Sequence, residues 1–453
     1  MAARTPPATL SIRPANDQPS HSILSPKTPS SVFGRTVIEE SQSSVILAVV
    51  LSHWDNILGP RIRHLWHIRS LEEQINADIL HYIASHTLSG EICRDPSDSN
   101  IDSKFYVLQD KQLIVTAFLF SAVDKSDLVV HSLSVIVHYK NLHIYLNWQQ
   151  LTTSWMYRGV AKLRILLDKC PEACAVSKFG EFLMEFVSMF QSIKEAPVPR
   201  NIPITDTVFH HQVQFSAQFI HKAILCHLTT CGRSVVIGRT PGSINVMIVT
   251  LSMFLRHQER SCCRYVSADK PWAYHPDLCV QGLLPREGDE LGSTLKNIYY
   301  SQYPTTLVDL STEQVKLSSL VEEHQRLRQE AMQQELLALW RGQDPSYPTK
   351  DMFHFYDEPE TLVTSFLQQI CQIPATGGKK EALVQRFMQL LNKKAVTLIK
   401  YMEHSTSQGI TCLTAEQVKQ MKQDLCLTLS GDYNIILALA EKLKPGICSL
   451  MCH

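Results

Sequence analysis

From position 53 to 66 the chain reads HWDNILGPRIRHLW, with an acid, an amide, two arginines, two histidines and two tryptophans in fourteen residues. Such side chains equip general acid-base or phosphoryl-transfer chemistry. Their spacing assigns the roles differently. Asp55 and Asn56 are turn formers that hydrogen-bond the local backbone, Gly59 permits an unusual dihedral, and Pro60 fixes the entry to the next strand. The flanking runs, SVILAVVLS at 44–52 and RIRHLWHIR at 61–69, are of strand length, so the stretch is a hairpin. In an extended chain alternate residues share a face. Arg61, Arg63, His67 and Arg69 then fall on one side with Leu65, and Ile62, His64, Trp66 and Ile68 on the other. The basic side could supply an arginine finger to a phosphoryl group, or dock on an acidic partner surface. A solvated strand face is the plainer alternative. Trp54 and Trp66 are expected to pack.

Other chemistry is sparse. G-x-x-x-x-G-K-[ST], G-x-G-x-x-G, H-E-x-x-H and G-x-S-x-G do not occur, so no catalytic residue is singled out. TGGKK at 376–380 has neither the upstream glycine nor the Ser/Thr of a phosphate loop and reads as a helix-helix connection. Cys262, Cys263, His275 and Cys279 offer zinc-ligand atoms, but adjacent cysteines rarely reach one metal, and no site is expected. Ser25 and Thr28, in SPKTP, are candidate proline-directed phosphorylation sites.

Composition bounds the setting. Length 453 suits two to three domains of roughly 150 residues each. Lys+Arg and Asp+Glu balance at 43 each, so no global positive field gathers nucleic acid or an anionic membrane. The thirteen cysteines contain no C-x-x-C pair and no N-x-[ST] sequon occurs, which reads as reduced thiols in a cytoplasmic chain. The longest apolar runs fall short of the roughly 18 residues of a membrane helix.

The elements that must position the hairpin follow from hydrophobic period. Residues 1–42, with six prolines in the first 29, read as a disordered tail. Residues 43–193 follow the order β-β-α-β-β-β-α-α, with a capping box at Ser70 and Glu73 and an aromatic stripe from Phe179 to Ile193 on the last helix. A linker at 194–207 leads to a small α/β unit over 208–345. There Pro241 opens a helix, the strand signal ends near 311, and a capping box at Ser319 and Glu322 starts a charged helix. Residues 346–453 are helical, including an almost wholly apolar helix at 432–444. The fold class is α/β (α+β).

Seven stretches run in a recognisable order over about residues 45 to 447. They are WDNILGPRIRHLW, HTLSGEI (86–92), TTCGRSVVIG (229–238), VQGLL (280–284), YPTT (303–306), KAVTLIKYME (394–403) and GDYNIILALAEKLKPG (431–446). Together they resemble the chromosome 9 open reading frame family of longin/DENN proteins, linked to amyotrophic lateral sclerosis and frontotemporal dementia. The resemblance implies a longin domain at 43–193 and a two-part DENN module, central at 208–345 and downstream at 346–453. It also implies regulation of Rab and Arf small GTPases, as an exchange factor or as a non-catalytic scaffold of a GTPase-activating complex whose arginine finger lies in a DENN partner. A second longin/DENN protein and a WD-repeat protein are the implied partners. The implied setting is autophagy and endosome-lysosome traffic, with cytoplasmic protein recruited indirectly to endosomes, lysosomes and autophagosomes and with no cofactor. Two features depart from the family: the tail is longer than its usual start, and the chain stops at GICSLMCH where members continue.

Overall fold

The computed structural model describes residues 11–14, 33–39, 44–69, 75–91, 94–95, 97–124, 127–210, 215–270, 272–285, 291–343, 352–374, 378–407 and 412–451. Two compact units emerge: Met1–Lys194 with Glu335–Pro345, and Glu195–Gln334 with Ser346–His453. Both combine sheets with helices, so the chain is α/β.

In the first unit the chain forms β1 (Ser11–Pro14), β2 (Gly34–Glu39), β3 (Ile46–Asp55), β4 (Gly59–Arg69), α1 (Ala77–Leu88), β5 (Asp102–Leu108), β6 (Leu113–Asp124), β7 (Asp127–His138), α2 (Leu142–Lys169) and α3 (Glu172–Glu195). The strands make one sheet in the order β1-β2-β4-β3-β7-β6-β5. The central strands β3, β6 and β7 are continuous apolar runs because both faces are covered. On one face α1 buries Leu80, Ile83 and Ala84 against Val50, Ile62, Leu65 and Val115. On the other, Phe179, Leu183, Phe186 and Phe190 of α3 are all at most 1% exposed, and Phe179 meets Trp66 edge-on at 5.2 Å. Removing one such phenylalanine would cost about 3–5 kcal/mol, so this stripe anchors the helix.

The start of the chain departs from the disordered tail expected for 1–42. β2 pairs parallel with β4 from Gly34 opposite His64 to Glu39 opposite Arg69. Ile38 is fully buried, and Thr36 Oγ1 lies 2.9 Å from His64 Nε2. Local sequence hides this six-residue strand because its main partner, β4, lies thirty residues away and its other partner, β1, is only four residues long. Ser70 and Glu73, the expected capping box, lie outside the described residues. The first helix is capped by Asn76, whose side chain accepts from Asp78 N at 3.2 Å.

The second unit opens with α4 (Ala217–Thr229), β8 (Ser234–Ile237), α5 (Pro241–Ser252), α6 (His257–Arg260), β9 (Val280–Leu283), α7 (Leu291–Thr294), β10 (Thr306–Asp309) and β11 (Gln314–Leu317). Pro241 stands in the first turn of α5, as expected. β8 pairs parallel with β9 and β10, and β11 closes the edge antiparallel to β10. β11 corrects the expectation that strands end near 311; QVKL is short and gains its order from the β10 edge. Then come α8 (Val321–Arg341), whose residues from Glu335 on are counted in the first unit, α9 (Leu362–Gln372), α10 (Lys379–Ser407), α11 (Ala415–Asp424) and α12 (Ser430–Leu443). Ser319 Oγ, expected in a capping box, lies 3.2 Å from His324 Nδ1. Asp432 in the first turn of α12 accepts from Thr361 N and Leu362 N, both at 3.0 Å, and so caps α9. Ten described cysteines are free, but Cys412 is disulfide-bonded, an exception to the reduced thiols expected.

Candidate partner-docking site

The hairpin is built as its turn residues require. Asp55 Oδ1 accepts from Ile57 N at 2.8 Å and Leu58 N at 2.9 Å, which holds its carboxyl below the usual range. Asn56 is exposed in the turn, Gly59 adopts φ +75°, and Pro60 pairs with Trp54. The turn raises Ile57 and Leu58 into solvent, 92% and 61% exposed. Trp54 packs against Leu88, Leu119 and Val130. Trp66 is fully buried and donates from Nε1 to Val176 O at 3.4 Å.

The single basic face does not exist. Leu51 lies opposite His64 and Ser52 opposite Ile62, so Arg63 is the extra residue of a β-bulge that shifts the alternation of β4. Arg61, opposite His53, and Arg63 therefore turn toward α3. There Arg63 Nε donates to Glu172 Oε1 at 3.0 Å, and its Nη1 lies 3.4 Å from His131 Nε2. Leu65 and His67 stay on the α1 side, opposite Val50 and Ala48. Arg69 ends the strand opposite Glu39, with its side chain outside the described residues, as are Ser25 and Thr28. A bulge is set by the partner strand, so no local pattern within 61–69 announces it.

The electrostatics of the patch are those of an engaged cation. Arg63 is 13% exposed and paired, whereas Arg61 is half-buried near the turn. Beneath them His64 is pushed down to about 4 by burial, against a small opposing pull from Glu172, and is neutral at pH 7.

The C9orf72-like protein family pattern matches residues 82–324, and curated relatives align along nearly the whole chain. The chain is 32% identical over 459 aligned residues to the Homo sapiens protein named guanine nucleotide exchange factor C9orf72, covering 93% of this chain and 95% of the relative. The Mus musculus and Rattus norvegicus homologues match with 32% and 31% identity over the same shares. The chain belongs to the C9orf72-like protein family.

Within the span that matches the C9orf72-like family lie Cys262, Cys263, His275 and Cys279, at which no metal site is expected from spacing. Among the described residues no group of His, Cys, Asp or Glu is placed to hold a metal ion. Cys262, Cys263, His275 and Cys279 are instead built into a hydrogen-bonded core. Cys279 N donates to Cys262 O at 2.9 Å, Cys263 Sγ to Glu259 O at 3.5 Å, and Arg233 Nη1 to Cys279 Sγ at 3.4 Å. The Cys263 hydrogen bond, helped by Arg233, draws the Cys279 thiol down to about 7 against its burial.

Two features of this family member were missed from the sequence. Within the first unit, Arg158 of α2 grips Glu335 bidentately, Nε to Oε2 at 3.0 Å and Nη2 to Oε1 at 2.6 Å, with Lys162 Nζ at 2.8 Å. In the second, a groove along α10 gathers Arg256, Gln385 and Gln389. The first has no sequence signal, since its partners are 177 residues apart. The second had one: polar amides at i and i+4 beside an apolar stripe.

Proposed function

We propose that this C9orf72-like chain is a guanine nucleotide exchange factor for small GTPases of the Rab and Arf type. The observation that carries the reading is its collinear similarity, over 93% of its length, to relatives bearing that activity in their names. An exchange factor needs no acid or base. It binds the nucleotide-free GTPase better than the loaded one, and reciprocity of coupling then requires it to weaken nucleotide binding by the same factor. On this reading 43–193 is a longin domain, 194–207 a linker, and 208–345 and 346–453 the central and downstream parts of a DENN module. A second longin/DENN protein and a WD-repeat protein complete the complex. It serves autophagy and endosome-lysosome traffic from the cytoplasm, reaching endosomes, lysosomes and autophagosomes through its partners. Of the partner-binding candidates Arg61, Arg63, His67 and Arg69, Arg61 is then the foremost docking residue for an acidic partner surface, since Arg63 is engaged by Glu172.

One observation favours a second reading, a non-catalytic scaffold in a GTPase-activating complex. The ion-paired, 13% exposed guanidinium of Arg63 is poorly disposed to reach a phosphoryl group, so the finger would come from the DENN partner. Release of labelled GDP from a Rab and Arf panel, by the chain alone and with its DENN partner, tests the first reading. Acceleration supports exchange; none in either condition removes it. Hydrolysis assays on the same panel test the second, with stimulation by the complex that survives Arg61→Ala expected.

A further inference from the structure

A groove of about 370 Å³ runs in the second unit between α10 and the segment that follows α5. Its floor is apolar: Met253, Leu255, Val384 and Met388. Along its wall stand Gln385, Gln389 and Asn392 of α10, at i, i+4 and i+7 and so on one face of the helix. The first two are separated along the axis by about 6 Å. An extended peptide repeats its backbone groups on one side every two residues, about 6.6–6.8 Å. A primary carboxamide carries both a donor and an acceptor, so this ladder suits a peptide backbone laid along it.

The charges of the groove set the sign of its ligand. A smaller cavity of about 30 Å³ shares Arg256, Met388 and Asn392 with it and adds Glu259 and Lys442. Glu259 Oε1 takes Lys442 Nζ at 2.8 Å and its Oε2 accepts from Arg256 N at 2.9 Å. Glu381 Oε1 accepts from Ile204 N at 3.1 Å. Arg260 spends its guanidinium on the carbonyls of Ser252, Met253 and Arg200, at 2.9, 3.1 and 2.7 Å. Both carboxylates and two of the three cations are thus occupied within the protein. The exposed side chain of Arg256, which also helps hold the Glu259 carboxyl below its usual range, is the positive handle that the groove turns to solvent.

We propose that this groove docks an extended peptide segment of a partner protein, one with an acidic side chain close to an apolar one. The apolar side chain sits on the Met253–Met388 floor, the backbone lies along Gln385 and Gln389, and the acid meets Arg256. The docking stands apart from nucleotide exchange.

Selection of a random phage-displayed library of peptides about twelve residues long on the full chain tests it. The expected consensus places Asp or Glu within two positions of Leu, Met or Phe. A synthetic peptide of that sequence should lose about tenfold in affinity on Arg256→Glu and several-fold on Gln389→Ala, with the urea midpoint of each variant unchanged. N-methylation of alternate peptide nitrogens should weaken it further. Absence of enrichment, a basic consensus, or peptides that bind Arg256→Glu equally well would each overturn the proposal, and a winner that binds as a helix would overturn its extended form.

Discussion

Arg63, the extra residue of the β4 bulge, donates to Glu172 at 3.0 Å and so ties the strand to the first turn of α3. The guanidinium is 13% exposed and the carboxylate 54%, which places the pair between a surface and a buried ion pair. Arg63→Ala should lower stability by about 1 kcal/mol and Arg61→Ala by less than about 0.5. Urea midpoints of the two variants measure this. Equal losses would mean that the bulge does not anchor the strand.

A stronger effect is expected at Glu335. Burial pushes its carboxyl up, but hydrogen bonds and charge from Arg158 and Lys162 outweigh that and hold it below the usual range. Lys162 itself is pulled down, by burial and then by Arg158, so Glu335 governs the response of the cluster to acid. A carboxyl lowered on folding adds stability above its unfolded pKa of about 4.3, and this is lost as pH falls through the folded value. Glu335→Gln leaves two sequestered cations without their counter-charge and should cost about 3 kcal/mol at pH 7. Denaturation at pH 7 and pH 3 checks both statements: the gap between wild type and variant should shrink in acid.

Four histidines are held neutral by burial. His64 and His324 are pushed down to about 4, and His227 and His275 to about 3. Below the unfolded value of about 6.5 the unfolded chain takes up protons that the folded chain refuses. Stability is therefore complete above that pH and falls by about 1.4 kcal/mol per pH unit for each histidine until its folded value is reached. Three of the four lie in the second unit. Amide exchange of β8 against β3 between pH 7 and 5, corrected for intrinsic rates, should show the steeper loss in β8; equal slopes would contradict it.

These predictions show what the sequence could and could not disclose. Period-two and period-3.6 patterns made the β3–β4 hairpin, the α3 stripe and the apolar α12 legible, because each signal lies inside one element. The bulge at Arg63, the β2–β4 pairing and the Arg158–Glu335 clasp were not legible, because each is fixed by a partner far along the chain. The candidate site suffered most. Its basic face was drawn from strict alternation, and a single extra residue moved Arg61 and Arg63 to the face opposite His67.

β2 offers the last test. A Cβ on Gly34 would lie 2.5 Å from His64 Nδ1, and Ile38 is fully buried. Ile38→Asp would bury an unpaired charge and should detach the strand, opening the β4 edge to exchange. Hydrogen exchange should then speed up in residues 64–69 while β6 stays protected. Unchanged protection of β4 would show that β2 is dispensable.

The order of the seven-stranded sheet carries a consequence for assembly. Beyond β2 the sheet ends in β1, four residues that finish at Pro14, which has no N–H to offer a neighbour. At the opposite margin stands β5, seven residues long, with Asp102, Ser103 and Val107 exposed. Among the described strands, only that margin is long enough to recruit another chain by strand addition. Of the two described margins, β5 therefore offers the longer row of backbone groups for strand addition.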